Sequence, residues 1–464
     1  MTAPRIAASV GELVSYLEGI CHIEGERVVI DDPAAFRSTA IKDIAWSATF
    51  STDESVVEAA RWMVWEASQE LGIRSASIHE LYMARSRDEY SGWSQPAINL
   101  RTQVFDMAAA GCRAAMEIGA GSPIWELARS EQAYTFQRPG EYITSVLAGA
   151  IHAGWEGPIF IQGDHYQWNA KNYAADPEKV TSALHAATLD AMSVGYGNID
   201  IDSSTLVDLS HESLDEQQKE NYSRAAELAA LIREHEELTI SIGGEIGEVG
   251  KSNSTPDELR AYLDGFNREF AARAGQDAIG LSKVSVQTGT SHGGVPTADG
   301  KVAEVKLDFE VLRELGIVAR EYGLAGAVQH GASTLPDELF HKFPEVETAE
   351  VHLATGFQNA LYEHPAFPAE LYAKVEQFCN EECADERSEG QTDQQFVYKT
   401  RKKALGPIKR ELWDLDVKDE IIASQQAKMK FIFEQLGITG NKATVEKFIR
   451  APERHKPLPA SLKA

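Results

Sequence analysis

The chain has 464 residues, 43% hydrophobic and 25% charged, the composition of a globular protein with ample material for a core. Its formal charge of −27 argues against nucleic acid or an anionic membrane as a partner, because phosphate-rich surfaces call for a basic counterpart. A small phosphorylated metabolite stays compatible, since one local pocket can oppose the global sign.

The amino-terminal stretch MTAPRIAASVGELVSYLEGI lacks a charged segment followed by an apolar run, and nothing approaches the ~18 apolar residues of a membrane span. A soluble, cytoplasmic protein is expected. Residues 1–94 read as a mostly helical segment. Residues 55–71 carry apolar positions at helical spacing, and 86–94 form a polar loop.

From residue 95 short apolar runs recur, each followed by a small-residue turn and a helical pattern. They are PAINL (96–100), PIWEL (123–127), PIFIQ (158–162), NIDID (198–202), TISIGGE (239–245), KVSVQT (283–288), AGAVQH (325–330) and AEVHLA (349–354). Helices are predicted between them, for example over 215–235 and 255–274. Eight strands alternating with helices predict a (β/α)8 TIM barrel over residues 95–365. A doubly wound sheet is the alternative, but no G-x-G-x-x-G follows an early strand.

Residues 366–464 are charged and helical, a C-terminal extension that packs on the barrel or contacts another copy. Its last ten or so residues, rich in Pro and Lys, are expected to fray. Cys379 and Cys383 form C-x3-C without a second pair, which reads as two reduced thiols rather than a metal motif.

In such a barrel, catalytic groups come from the carboxyl ends of strands and the loops that follow. There the sequence places Asn99, Asp164-His165, Asp202-Ser203-Ser204, Glu245, His292, His330 and Thr355. Any one of them has a structural explanation. Three imidazoles at separate strand ends suit zinc or a similar divalent ion, with coordination positions left for substrate. Glycine follows two of the histidines, at Gly293 and Gly331, where backbone N–H groups can approach a phosphate. Adjacent Asp164 and His165 pose a question, because neighbours on a regular strand face opposite sides.

These motifs resemble, in order and spacing, the class II, metal-dependent fructose- and tagatose-bisphosphate aldolases over roughly residues 95–362. The resemblance rests on PAIN around Asn99, DH at 164–165, IDSS at 201–204, GEIG at 244–247, GTSHGG at 289–294, QHGAS at 329–333 and HLATGFQNA at 352–360. It implies that His165, His292 and His330 hold the catalytic metal, with Glu245 at a second or alternative position. Asp164 would be the acid/base at the C4 hydroxyl. Gly293, Gly331, Ser333 and Thr355 would cradle the phosphate, with Asn99 and Ser204 as further substrate contacts. It also implies a divalent ion, zinc foremost, a phosphorylated sugar substrate and a homo-oligomer. Retro-aldol cleavage leaves an enediolate that a divalent ion stabilises, while a carboxylate carries the hydroxyl proton.

The sequence departs from the family pattern at several places. Gln162 stands where a histidine is usual, and the lysine beyond the strand-6 H-G is missing from HGGVPTADGK. His352 replaces an asparagine, Ala354 matches tagatose-type members, and the loop acid that reprotonates the enediolate is not identifiable, Glu248 being a guess. A sugar-phosphate epimerase or isomerase on the same barrel is therefore one alternative, and a metal-binding homologue without turnover is another. A Schiff base on Lys283 would leave the metal-capable residues without a purpose.

Overall fold

The computed structural model describes residues 3–247, 252–289, 307–332 and 335–463. Each of the eight predicted runs forms a strand: β1 (Gln95–Asn99), β2 (Ile124–Ala128), β3 (Gly157–Gln167), β4 (Asn198–Asp202), β5 (Ser241–Glu245), β6 (Lys283–Ser285), β7 (Ala327–Gln329) and β8 (Glu350–Leu353). Neighbours pair in chain order, and β8 closes on β1 with Glu350 opposite Gln95 and Leu353 opposite Ile98. All barrel pairings are parallel, which requires a crossover after every strand. The result is the (β/α)8 barrel, ringed by helices.

The crossover helices start and stop where the sequence signals it. Pro139, Pro177 and Pro256 sit in the first helical turn, where a missing N–H costs little. Thr255 and Glu258 cap Pro256–Ala274 reciprocally. Gly154 and Gly195 end their helices in the left-handed region, with φ of 80° and 113°.

The amino-terminal segment holds more β structure than expected. Cys21–Glu24 and Arg27–Ile30 form an antiparallel hairpin, and Ile73–Ala76 is a ninth strand of the main sheet. That strand pairs parallel with the start of β3, Ile73 opposite Gly157 and Ala76 opposite Phe160. At four residues, with no clear alternation, it gives no local signal. It becomes a strand because β3, at 11 residues, reaches below the barrel rim. The predicted helix is present as Glu54–Glu70, with Asp53 capping Ser55 N–H.

The carboxyl-terminal residues are helical, with Ala369–Glu382, Lys418–Gln435 and shorter helices around them. Trp413, Met429 and Phe433 join the core that also contains Trp46, Phe105 and Trp125. Cys379 and Cys383 are buried in a smaller apolar cluster with Phe396 and Leu412.

The fraying expected at the end is not found. Trp62 Nε1 donates to Lys456 O at 3.0 Å, and Trp65 Nε1 to Arg454 O at 2.7 Å. The buried Glu66 carboxylate accepts from Lys456 N and meets His455 Nδ1 at 2.7 Å. A Pro- and Lys-rich composition suggested no partner; the partners are on a helix almost 400 residues earlier, and no local pattern reports them.

Candidate metal centre and catalytic site

TIM barrels are ordinarily filled by branched aliphatic side chains. Here Glu126, Gln162, Asp164, Asp200, Asp202, Lys283, Glu350 and His352 are all buried on the strands. Lys283 Nζ donates to Gln162 Oε1 and Asp200 Oδ2, both at 2.9 Å, and to Glu350 Oε1. Gln162 Nε2 donates to Glu126 Oε2 at 3.0 Å and Glu350 Oε1 at 2.8 Å. The Tyr82 hydroxyl donates to the other oxygen of Glu350. This accounts for Gln162 in place of histidine. An amide supplies one acceptor for the ammonium and two donors for the carboxylates, which a neutral imidazole cannot do.

His352 sits above this layer. Its Nδ1 lies 2.9 Å from Glu126 and 3.5 Å from Asp164 Oδ1, and its Nε2 lies 2.7 Å from Glu350. Burial alone would lower the imidazole pKa, but Glu126, Asp164 and Glu350 hold it well above the usual value. The ring therefore stands protonated among acids.

The adjacency of Asp164 and His165 has a backbone cause. The pairing of β3 with β4 shifts register between Gly163 and Tyr166, and His165 takes φ of +43°, in the left-handed region. The bulge breaks the alternation of faces, so both side chains come to one site. Gly163 permits it: a Cβ there would lie 2.3 Å from the Tyr166 ring.

Around the bulge the metal-capable residues converge. His165 Nδ1 is 3.0 Å from Asp202 Oδ2 and 3.4 Å from Glu245 Oε2, and His330 Nδ1 is 3.8 Å from that same Glu245 oxygen. The two imidazole rings meet edge-on at 4.4 Å. His165, Glu245 and His330 each offer one ligand atom within 4.8 Å of the others. Burial, then Asp202 and Asp164, pushes the Glu245 carboxyl up to about 8. A bound cation would offset that excess of negative charge, and two nitrogens with one oxygen suit a divalent transition ion. Asp202, itself held by the Ser204 backbone and hydroxyl at 3.1 and 2.6 Å, orients the His165 ring.

Asp164 has a different environment. Burial alone would raise its pKa, but His165, His352 and Lys283 outweigh that and hold the carboxyl well below its usual range. It is an ionised carboxylate with His165 Nε2 at 3.8 Å and His352 Nδ1 at 3.5 Å.

Asn99 and Thr355 belong to a second patch. Asn99 Nδ2 donates to Glu131 Oε2 at 2.7 Å, and Glu131 pairs with Arg101 at 2.6 Å. Arg101 reaches Thr355 Oγ1 at 3.5 Å and Gln358 Oε1 at 2.9 Å. Gly331 follows β7 with φ of +70°, as a tight turn requires. His292, Gly293, Ser333 and Glu248 lie outside the described residues.

The structure thus brings together Asp164, His165, Glu245 and His330, and places Ser204 behind His165. Sequence reasoning passed over the Arg101–Glu131 pair and the ring of Glu126, Asp200 and Glu350, and weighed Lys283 only as a Schiff-base residue. The second group had a visible signal, since a charge inside an apolar run of a fully buried parallel strand demands a partner.

The fold and the convergent donor atoms define a (β/α)8 protein with a candidate metal site at the carboxyl ends of its strands. The chain belongs to the class II fructose-bisphosphate aldolase family, whose sequence model matches residues 92–410. A search by sequence among curated proteins found no match. Among solved structures, a protein from Sinorhizobium meliloti 1021 described as a "probable tagatose 6 phosphate kinase" is 17% identical, with a TM-score of 0.51 over 76% of this chain and 93% of that one. That likeness concerns the fold. A fructose-bisphosphate aldolase from Campylobacter jejuni is 16% identical, with a TM-score of 0.45 over 80% of this chain and 97% of that one.

Proposed function

We propose that the protein is a metal-dependent aldolase that cleaves and forms a carbon–carbon bond in a ketose bisphosphate of the fructose or tagatose type. The observation that carries this reading is the bulge in β3, which delivers an ionised carboxylate and an imidazole to one point beside Glu245 and His330. Family membership supports the aldolase class.

His165, His330 and Glu245, with His292 by the family resemblance, would hold a divalent ion, for which nitrogen-rich ligands favour zinc. When bound, the ion supplies positive charge against the negative charge that develops on the substrate's ketone oxygen. Asp164 takes the proton from the C4 hydroxyl during cleavage and returns it during condensation. His352, protonated and 3.5 Å away, holds the Asp164 carboxylate in place. Asp202 fixes the His165 ring. The phosphate anchor would be Gly331, Gly293, Ser333 and Thr355, and Arg101 places a cation beside Thr355 where the usual lysine is missing.

Asp164→Asn tests the assignment, since it keeps size and removes basicity. Cleavage should fall by ~100- to 10,000-fold with metal content and ketose affinity unchanged. A variant that loses its metal would make Asp164 a ligand; one that keeps wild-type turnover would make it structural. The product decides the class: triose phosphate release marks a lyase, and a new hexose stereoisomer marks an epimerase.

A further inference from the structure

We propose that a cavity at the opposite end of the barrel is a second ligand site, for an organic anion with an apolar, ring-bearing body. The cavity has a volume of about 1140 Å³, at the large end for small-molecule sites. Its walls include residues 193–197 and 235–238, which precede β4 and β5, so it lies by the amino-terminal ends of the strands. The candidate metal centre lies at their carboxyl ends. The other walls include the helices Glu54–Glu70 and Pro139–Ala153 and the tail from Arg454 to Pro459.

Three cations line this space: Arg61, Arg454 and Lys456. Among the described residues none of them has a carboxylate within ion-pair distance, in a chain of net charge −27. Arg61 Nε is buried with no hydrogen-bond partner among the described residues. Glu141 and Asp190 act on Arg61 only at longer range, and Glu141 is taken by Lys409. Among the described residues Lys456 Nζ donates only to Val194 O, at 3.0 Å, and it lies 4.0 Å over the Trp65 ring. Burial, then Arg454, pushes its ammonium down to about 8. Tyr196, 3% exposed, also lines the cavity, and its hydroxyl has no hydrogen-bond partner among the described residues.

A half-buried cation without a counter-charge is costly, and three around one space are costlier still. An anionic group would satisfy them together, and the faces of Trp62 and Trp65 would take an apolar ring. Of the acids in the lining, Glu54, Glu58 and Glu237 are exposed, where water screens them, and Glu236, 14% exposed, is taken by Arg233 at 2.5 Å. The walls join the first helix and the tail, so an occupant would tie both to the barrel.

The probe is 1-anilinonaphthalene-8-sulfonate added to the full chain, read by energy transfer from tryptophan, with its uncharged analogue N-phenyl-1-naphthylamine as the comparison. The expected result is saturable binding of one sulfonate per chain, at least tenfold tighter than the uncharged analogue. Arg61→Gln and Lys456→Gln should each weaken it by about tenfold, Arg61→Lys should retain most of it, and aldol cleavage without the probe should be unchanged. Circular dichroism confirms that each variant is folded. The inference is overturned if no saturable binding is seen, if both folded glutamine variants bind as the parent does, or if the uncharged analogue binds equally well.

Discussion

Lys283 neutralises two acids that could not otherwise share the barrel interior. Its ammonium is 1% exposed and pairs with Asp200 and Glu350, which are nearly as buried. Replacing it by Met would leave two carboxylates facing an apolar side chain. Removing one partner of a buried ion pair costs about 3–5 kcal/mol. Urea denaturation of Lys283→Met should show a loss of that order, and a loss below about 1 kcal/mol would show that the acids simply take up protons. At this scale the sequence was partly legible. Asp164 and His165 stood out because a strand cannot hide both, yet the bulge that unites them depends on Gly163 and the backbone of His165. Lys283 could be seen as a misplaced charge, but not what it pairs with, since its partners come from strands 83 and 67 residues away.

At the level of elements, close helix approach sets tight limits. Helix Pro139–Ala153 packs on Val104–Glu117 through Gly149, where a Cβ would lie 2.4 Å from Phe105 O and 3.0 Å from Ala109 N. Alanine is the better helix former by about 1 kcal/mol, while overpacking against backbone costs about 1–3 kcal/mol. The second term should win. Gly149→Ala is expected to lose up to about 2 kcal/mol in a denaturation curve, and a gain in stability would mean that the two helices separate cheaply. The eight barrel strands were legible because each is an apolar run bounded by turn residues. The strand Ile73–Ala76 and the docked tail were not, because neither has a local pattern and each is defined by what it meets.

The whole molecule is strongly acidic, with a formal charge of −27, yet several of its cations are buried or half-buried in places that matter to the account. Lys283 serves the barrel interior, Arg101 the patch beside Thr355, and Arg61, Arg454 and Lys456 the far cavity. The described part of the barrel's carboxyl end has donor atoms that suit a divalent ion, with the Asp164 carboxylate beside them. Among the described residues no helix is long and apolar enough to cross a membrane. The most direct test of the proposed chemistry is triose phosphate release from fructose- and tagatose-1,6-bisphosphate, assayed before chelation, after chelation and after zinc is restored. The account predicts cleavage of at least one of the two, lost on chelation and recovered with zinc. Cleavage that continues undiminished in the chelated protein, or none from either sugar by the zinc-loaded protein, would contradict it.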